Sequence, residues 1–220
     1  MDKVLFIDKP SGMTSFGVVA RIRRVLSKQE GKKVKVGHTG TLDPFATGLM
    51  IIVVGKECRN AGHYTKLDKV YEATITLGQT STTGDPEGEV NIYQPEVIVP
   101  TREQVERVLE KFTGEIRQRP PIFSAIKIDG QRAYKLARDG REIEMPERKV
   151  LVYSLEVVSY AYPELKIRVH VSSGTYIRSL AVDIGEALGT GAYCSGLRRT
   201  KIGKWDVDDA SQLEEFGITN

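Results

Sequence analysis

Residues 165–188, LKIRVHVSSGTYIRSLAVDIGEAL, change their hydrophobic period midway. Leu165, Ile167, Val169 and Val171 share one face while Lys166, Arg168 and His170 take the other, the two-residue repeat of a strand with one buried side. A Ser-Ser-Gly-Thr turn follows, and the spacing then predicts a helix over 176–188. The pattern recurs irregularly outward from here. A buried strand over 4–7 ends at the turn Lys9-Pro10-Ser11-Gly12. Ser15 caps a helix to 27, with Val18, Val19, Ile22 and Leu26 on one face. A Gly/Thr-rich loop over 37–48 leads into an apolar strand over 49–54, and a short helix is expected over 57–67. Residues 70–77 alternate as a half-buried strand, and 79–89 read as a turn-rich loop. Thr101 with Gln104 forms a capping pattern for a helix to 112. Strands are expected over 122–128 and 149–160, with a helix over 131–138 between them. Strand pairs joined by loops rather than crossover helices indicate an α+β class: a mixed, largely antiparallel central sheet flanked by helices. No linker divides the chain, so one domain over 1–220 is expected.

At 220 residues, with 40% hydrophobic and 28% charged side chains, the composition excludes wholesale disorder and fibrous repeats. The longest apolar run, 49–54, is far short of the roughly 20 residues that cross a bilayer. Charges at Asp2, Lys3, Asp8 and Lys9 rule out a signal-peptide apolar region. Two cysteines, Cys58 and Cys194, cannot build a disulfide framework. A cytoplasmic, non-membrane protein is expected. The net charge of +3 is too small to specify a polyanionic partner, but its distribution is uneven. Residues 115–141 hold seven basic and three acidic side chains, and 198–204 hold four basic and none acidic. Such clusters either track phosphates or form solvated mixed-charge faces.

Several chemistries lack their motifs. There is no P-loop, no G-x-S-x-G elbow and no H-E-x-x-H. His38, His63 and His170 stand alone, and no second soft-ligand pair joins Cys58 and His63 into a zinc site. Any catalysis must rest on carboxylates, tyrosines and basic residues.

The densest cluster of special residues is GHTGTLDPFATG, 37–48, with Asp43 at its centre. Its glycines admit close approach of a ligand. On residue chemistry alone, Asp43-Pro44 reads equally as a helix N-cap followed by proline or as a catalytic acid. This segment resembles the catalytic motif of the TruB family, the tRNA pseudouridine-55 synthases. LFIDKPSGMTS (5–15), KVYEATITLGQTSTTGDPEG (69–88), QRPPIFSAIKIDGQRAYKLARDG (118–140) and SSGTYIRSLAVDIGEALG (172–189) resemble its other segments in the family's order.

The resemblance implies the pseudouridine synthase fold and isomerisation of uridine to pseudouridine in the T-loop of tRNA. The target base is everted before the C1′–N1 bond breaks. Asp43 would be the essential carboxylate, attacking covalently or removing a sugar proton. Arg178 would pair with it and hold it ionised, or is a helix residue in a surface ion pair. Tyr71 would stack on the uracil and shuttle a proton from C5, or is a half-buried strand tyrosine. Tyr176 would line the pocket and fix Arg178, or is a core tyrosine. His38 would fill the space left by the base, touch phosphate, or serve structure. Leu197 would wall the pocket, and Lys9 would support the site or meet phosphate. Arg132, Lys135 and Arg138, spaced as helix neighbours, would form a phosphate-facing stripe or a solvated face within a mobile RNA-binding insertion over about 115–145. The implied partner is the tRNA T-stem-loop, with no cofactor, metal or membrane, and a monomer is expected. The chain reaches Asn220 soon after Trp205, so no PUA module is expected. A non-catalytic RNA-binding protein on the same scaffold, or the same chemistry on ribosomal or other RNA, are the alternatives.

Overall fold

The computed structural model describes residues 1–93, 98–124, 126–128, 130–133, 136 and 145–218, with no side chains described at 127, 128 and 132. Two compact units emerge, Met1–Glu72 with Leu197–Asn220, and Ala73–Gly196.

The first unit is organised by β3 (Thr47–Val54), whose residues after Thr47 are all buried. β1 (Lys3–Lys9) runs antiparallel along one edge, from Lys3 opposite Val54 to Lys9 opposite Gly48. The other edge is shared. At its start Arg198 and Arg199 of β12 (Ala192–Ile202) pair in parallel with Thr47 and Gly48, and at its end β2 (Val36–His38) pairs antiparallel. The continuous apolar run of β3 follows from burial on both faces. Met50, Ile52 and Val54 pack with Val18, Ile22 and Leu26 of α1 (Ser15–Glu30). Leu49 and Ile51 pack on the opposite side with Ile202 and Val207. β13 (Trp205–Asp206) closes a hairpin with β12.

The second unit is built on a long antiparallel pair, β10 (Arg148–Ala161) and β11 (Glu164–Val171), with β7 (Gly114–Gln118) on the outer side of β10. Strand β4 (Lys69–Leu77) flanks β11. The inward residues of β11, Leu165, Ile167, Val169 and Val171, are fully buried. α3 (Arg102–Glu110) packs against β10 and against α4 (Ile177–Leu188). Both units are thus α+β, with largely antiparallel pairing and helices on the sheet.

Several expectations shift. The N-cap of α1 is Thr14, whose hydroxyl accepts from Gly17 N, and Ser15 is used elsewhere. The helix over 57–67 is a 3-10 turn, Gly55–Asn60, followed by a short α2, Ala61–Thr65. The loop over 79–89 holds β5 (Gln79–Ser81), paired with β6 (Val90–Ile92). Among the described residues of the strand expected over 122–128, only Lys127–Ile128 (β8) are in a strand, and they pair with β9 (Gln131–Arg132), so the helix expected over 131–138 does not start at 131; residues 134, 135, 137 and 138 of it lie outside the described residues. β12 was not anticipated. Its buried positions include Arg199 and do not alternate.

Candidate active site

In the first unit the loop between β2 and β3 carries Asp43, which is half-buried. Its backbone is tied down from two directions. From the β1–α1 segment, Ser15 Oγ donates to Leu42 O and accepts from Leu42 N, both at 2.8 Å. Gly12 N donates to Pro44 O at 2.8 Å, and Ser11 Oγ donates to Phe45 O at 2.9 Å. From β12, the fully buried Arg199 donates Nε to Leu49 O at 2.7 Å and its terminal nitrogens to Thr41 O at 3.4 Å and Gly40 O at 3.2 Å. Ala46 N closes a turn on Asp43 O at 3.1 Å. A loop carrying one acid is therefore held by buried cations that neutralise carbonyl dipoles; each charge-assisted bond contributes about 1.5–3 kcal/mol.

Lys9 belongs to this support. It is fully buried, and its ammonium donates to Pro10 O, Met13 O and Pro44 O at 2.7, 2.8 and 3.1 Å. Three donors are then committed to three carbonyls, the full capacity of an ammonium. The Pro44 carbonyl ties this ammonium to the Asp43 loop. Lys69, behind Arg199, donates to Thr65 O and Leu67 O. Burial, and then the charge of Arg199, push its pKa down to about 8. The basic cluster over 198–204 is likewise largely engaged. Arg198 forms a two-pronged pair with Asp8 at 2.8 and 3.1 Å, Lys201 pairs with Asp206 at 2.9 Å, and Lys204 lies over the Trp205 ring.

Tyr71 lies on the inward face of β4 and is buried. Leu197 is half-buried on β12, one residue before the register with Thr47. His38, half-buried at the end of β2, stands opposite Ile52.

In the second unit Tyr176 is the N-cap of α4 and its peptide groups are clamped by Gln118. Gln118 Oε1 accepts from Tyr176 N and Gln118 Nε2 donates to Tyr176 O, both at 2.8 Å. Arg178, two residues on, is buried. Its Nη1 donates to Asp85 Oδ2 at 2.8 Å and Thr83 O at 3.0 Å, and its Nη2 donates to Phe123 O at 3.0 Å. Asp85 accepts two further bonds, from Thr83 Oγ1 to Oδ1 at 2.6 Å and from Glu87 N at 3.0 Å. Arg178 borders a cavity of about 800 Å³ bounded also by Gly84, Pro121, Phe123, Met145 and Asp183. Burial, and secondarily the charge of Glu186, raise the Asp183 pKa to about 6.

Lys135 and Arg138 lie outside the described residues, as does the side chain of Arg132. Of the other basic residues in that segment, Arg117 and Arg119 both approach Glu147, at 4.0 and 3.5 Å. Among the described residues no group of three or more His, Cys, Asp or Glu is placed to hold a metal, and no helix is long and apolar enough to cross a membrane.

Asp85, Gln118 and Arg199 were not singled out from sequence, and Ser15 reads there only as a helix cap. Asp85-Pro86 repeats the Asp-Pro signature of Asp43-Pro44 inside a Gly/Thr-rich turn, a usable signal. The others donate to or accept from backbone, and no side-chain pattern marks such partners.

Comparison with known proteins agrees in extent. The model of the TruB family pseudouridylate synthase N-terminal domain matches residues 23–177, and that of the tRNA pseudouridylate synthase B C-terminal domain matches 178–218. A protein of Phocaeicola vulgatus named tRNA pseudouridine synthase B is 46% identical over 97% of this chain and 91% of its own length. The Bacteroides fragilis protein of the same name is 48% identical over 97% and 92%. A chain in the crystal structure of a Cbf5-Nop10-Gar1 complex superposes with a TM-score of 0.71 at 33% identity, covering 96% of this chain and 52% of that one. A chain from an H/ACA RNP bound to a substrate RNA containing 2′-deoxyuridine gives 0.69 at 30% identity, covering 99% and 56%. This chain therefore spans about half the length of those solved chains and nearly all of the first two relatives. It belongs to the TruB family of pseudouridylate synthases.

Proposed function

We propose that this chain isomerises uridine to pseudouridine in tRNA, at uridine 55 of the T-loop, with Asp43 as the essential carboxylate. The observation that carries the reading is the fixation of the Asp43 loop. Buried Arg199 and Lys9 and the reciprocal Ser15–Leu42 bonds hold the backbone of the loop that carries this half-buried acid. Such investment of buried cations in loop carbonyls is expected where a reacting group must be held to within a fraction of an ångström. The relatives named tRNA pseudouridine synthase B support the substrate class.

The reaction breaks the C1′–N1 bond, rotates the base, forms C1′–C5 and loses the C5 proton while N1 gains one, so the atoms balance with no redox change and no cofactor. Asp43 acts on the sugar or base, and Tyr71 and Arg178 are the other residues the chemistry needs. Tyr176, His38 and Leu197 shape the space around the everted nucleotide. The protein works as a cytoplasmic monomer and a single catalytic domain, with residues 115–145, including Arg132, Lys135 and Arg138, closing on the T-stem-loop.

The test is Asp43→Asn with unmodified tRNA. Pseudouridine, mapped by chemical probing, should fall by at least four orders of magnitude while RNA affinity stays within a few-fold of the parent. Near-normal turnover removes Asp43 from the mechanism. Wild-type protein that binds tRNA but modifies no RNA in a panel favours a non-catalytic binder.

A further inference from the structure

A second concentration of positive charge lies in the first unit, at the other end of β3 from the Asp43 loop. The segment joining α1 to β2 and the turn after β3 line a cavity of about 290 Å³. Five of its lining side chains are Lys32, Lys33, Lys35, Lys56 and Arg59, and its acidic member is Asp2. All five cations are exposed. Asp2 lies 3.9 Å from Lys56 Nζ and accepts from Lys56 N at 2.8 Å, so it offsets one of them. None of the other four has an acidic partner among the described ion pairs.

The platform beneath them is fixed. Gly55 N donates to Lys35 O at 2.8 Å, Val34 N donates to Ser27 Oγ at 3.0 Å, and Val36 pairs with Val54. Gly55 has φ +67°, and a Cβ there would fall 2.2 Å from Asp2 Oδ1 and 2.3 Å from Met1 O, so the N-terminal residues fold tightly onto this turn. The lysine stems thus rise from ordered backbone into one space.

Five cations facing one acid exceed what a single phosphate needs and suit a run of phosphates. The other lining side chains, Met1 and the buried Val34, offer no aromatic or broad apolar surface of the kind that enters a bilayer interface. From Thr47 to Val54 is seven steps of a strand, about 23 Å at roughly 3.3 Å per residue. That exceeds the Debye length of about 8 Å at physiological salt, so the cavity's charge is screened from the start of β3, where the Asp43 loop joins the strand. A ligand that engages both ends of β3 must be long and polyanionic.

We propose that this basic cavity holds ribose–phosphate backbone of the substrate RNA some 20–25 Å from the reacting uridine, a distance set by the strand rise. The proposal rests on the RNA-modifying function above and adds a contact surface separate from the Asp43 loop and from residues 115–145.

The test is the triple variant Lys32→Gln/Lys33→Gln/Lys35→Gln, with Lys166→Gln on β11 as a control for general charge loss. Full-length unmodified tRNA should bind the triple variant about 10-fold more weakly at 150 mM salt. The slope of log affinity against log salt should flatten by about 2–3, since each lost phosphate contact removes roughly 0.7–0.9. Single-turnover rate at saturating RNA should be unchanged, and Lys166→Gln should alter neither quantity beyond two-fold. An unchanged affinity and slope in a variant that melts like the parent overturns the proposal. So does loss of binding to phosphatidylserine vesicles with tRNA affinity intact. Wild-type protein that makes no pseudouridine yet binds tRNA through a slope the variant loses would refute the activity and keep the surface. Wild-type protein without RNA affinity would remove both.

Discussion

Arg178 and Asp85, 93 positions apart in sequence, form a buried ion pair at 2.8 Å with 5% and 3% of their side chains exposed. Neither charge has water to fall back on. Desolvating both is compensated by the carbonyls of Thr83 and Phe123 on the arginine and by the Thr83 hydroxyl and Glu87 N–H on the carboxylate. Such pairs are costly to break one partner at a time, because the survivor is left buried and uncompensated. The pair links the 81–89 turn to the first turn of α4 and sets where Arg178 points.

Asp85→Ala should therefore destabilise the protein by about 3–5 kcal/mol in urea denaturation. Asp85→Asn keeps the shape and part of the hydrogen bonding, and should cost less, about 1–3 kcal/mol. Both should lower single-turnover pseudouridine formation, with the Asn variant losing activity out of proportion to its stability. Equal loss of stability in the two variants would show that the shape and hydrogen bonds Asn retains contribute nothing, and that charge alone is what Asp85 supplies.

Lys9 separates a supporting cation from an RNA-binding one. With all three ammonium donors on carbonyls, Lys9→Met should cost about 2–4 kcal/mol and slow the chemical step, because three carbonyls and the loop lose their common donor. Its salt dependence of tRNA binding should match the parent. A flatter salt slope in Lys9→Met would mean that the ammonium reaches phosphate after all.

The fold was legible where one physical requirement dominated a segment. β11 alternates because only one of its faces is buried, and α3 is announced by its Thr101–Gln104 capping box, which forms as expected. β12 escaped notice because Arg199 occupies a core position, its charge met by the carbonyls of Leu49 on β3 and of Gly40 and Thr41 in the loop before it, 150 to 159 residues away in sequence. The same reason hid the support of the site. Asp43 stands in a visible cluster of special residues, whereas Ser15, Gln118 and Arg199 act on main-chain groups whose positions exist only after folding. Ser15 illustrates the ambiguity: a serine at a helix start reads as a cap, yet Thr14 takes that role and frees Ser15 for Leu42. Asp85 was readable in principle from its Asp-Pro turn, but its partner on α4 was not.

Asp183 gives a stability signature in pH. Burial raises its pKa to about 6, against about 3.9 in the unfolded chain. Between those values the folded state holds more protons, so this group's contribution falls as pH rises from about 4 to 6 and stays low above. Asp183→Asn should remove that decline. Its melting temperature should match the parent near pH 4 and exceed it at pH 7, by about 2 °C once solvent screening of this partly exposed group is allowed for. A variant less stable than the parent at pH 7 would show that the carboxylate makes a favourable contact when ionised.

Two glycines with positive φ separate conformational strain from steric contact at the Asp43 loop. Gly12, at φ +80°, has open space where a Cβ would go, while Gly48, at φ +109°, would place one 2.3 Å from Arg199 O and 2.7 Å from Arg199 N. Gly12→Ala should cost only the left-handed backbone penalty, about 1–2 kcal/mol, and leave turnover near normal. In Gly48→Ala the clash is with backbone, which cannot rotate away as a side-chain tip can. Relief requires β3 and β12 to part where Gly48 pairs with Arg199, and Arg199 also holds Gly40 O and Thr41 O. The displacement therefore reaches the loop bearing Asp43. Gly48→Ala should lose more than about 3 kcal/mol and reduce the single-turnover rate by about 100-fold, the scale expected for an ångström of misplacement. Equal effects of the two substitutions, in denaturation midpoint and in rate, would mean that the contact between β3 and Arg199 does not govern where Asp43 stands.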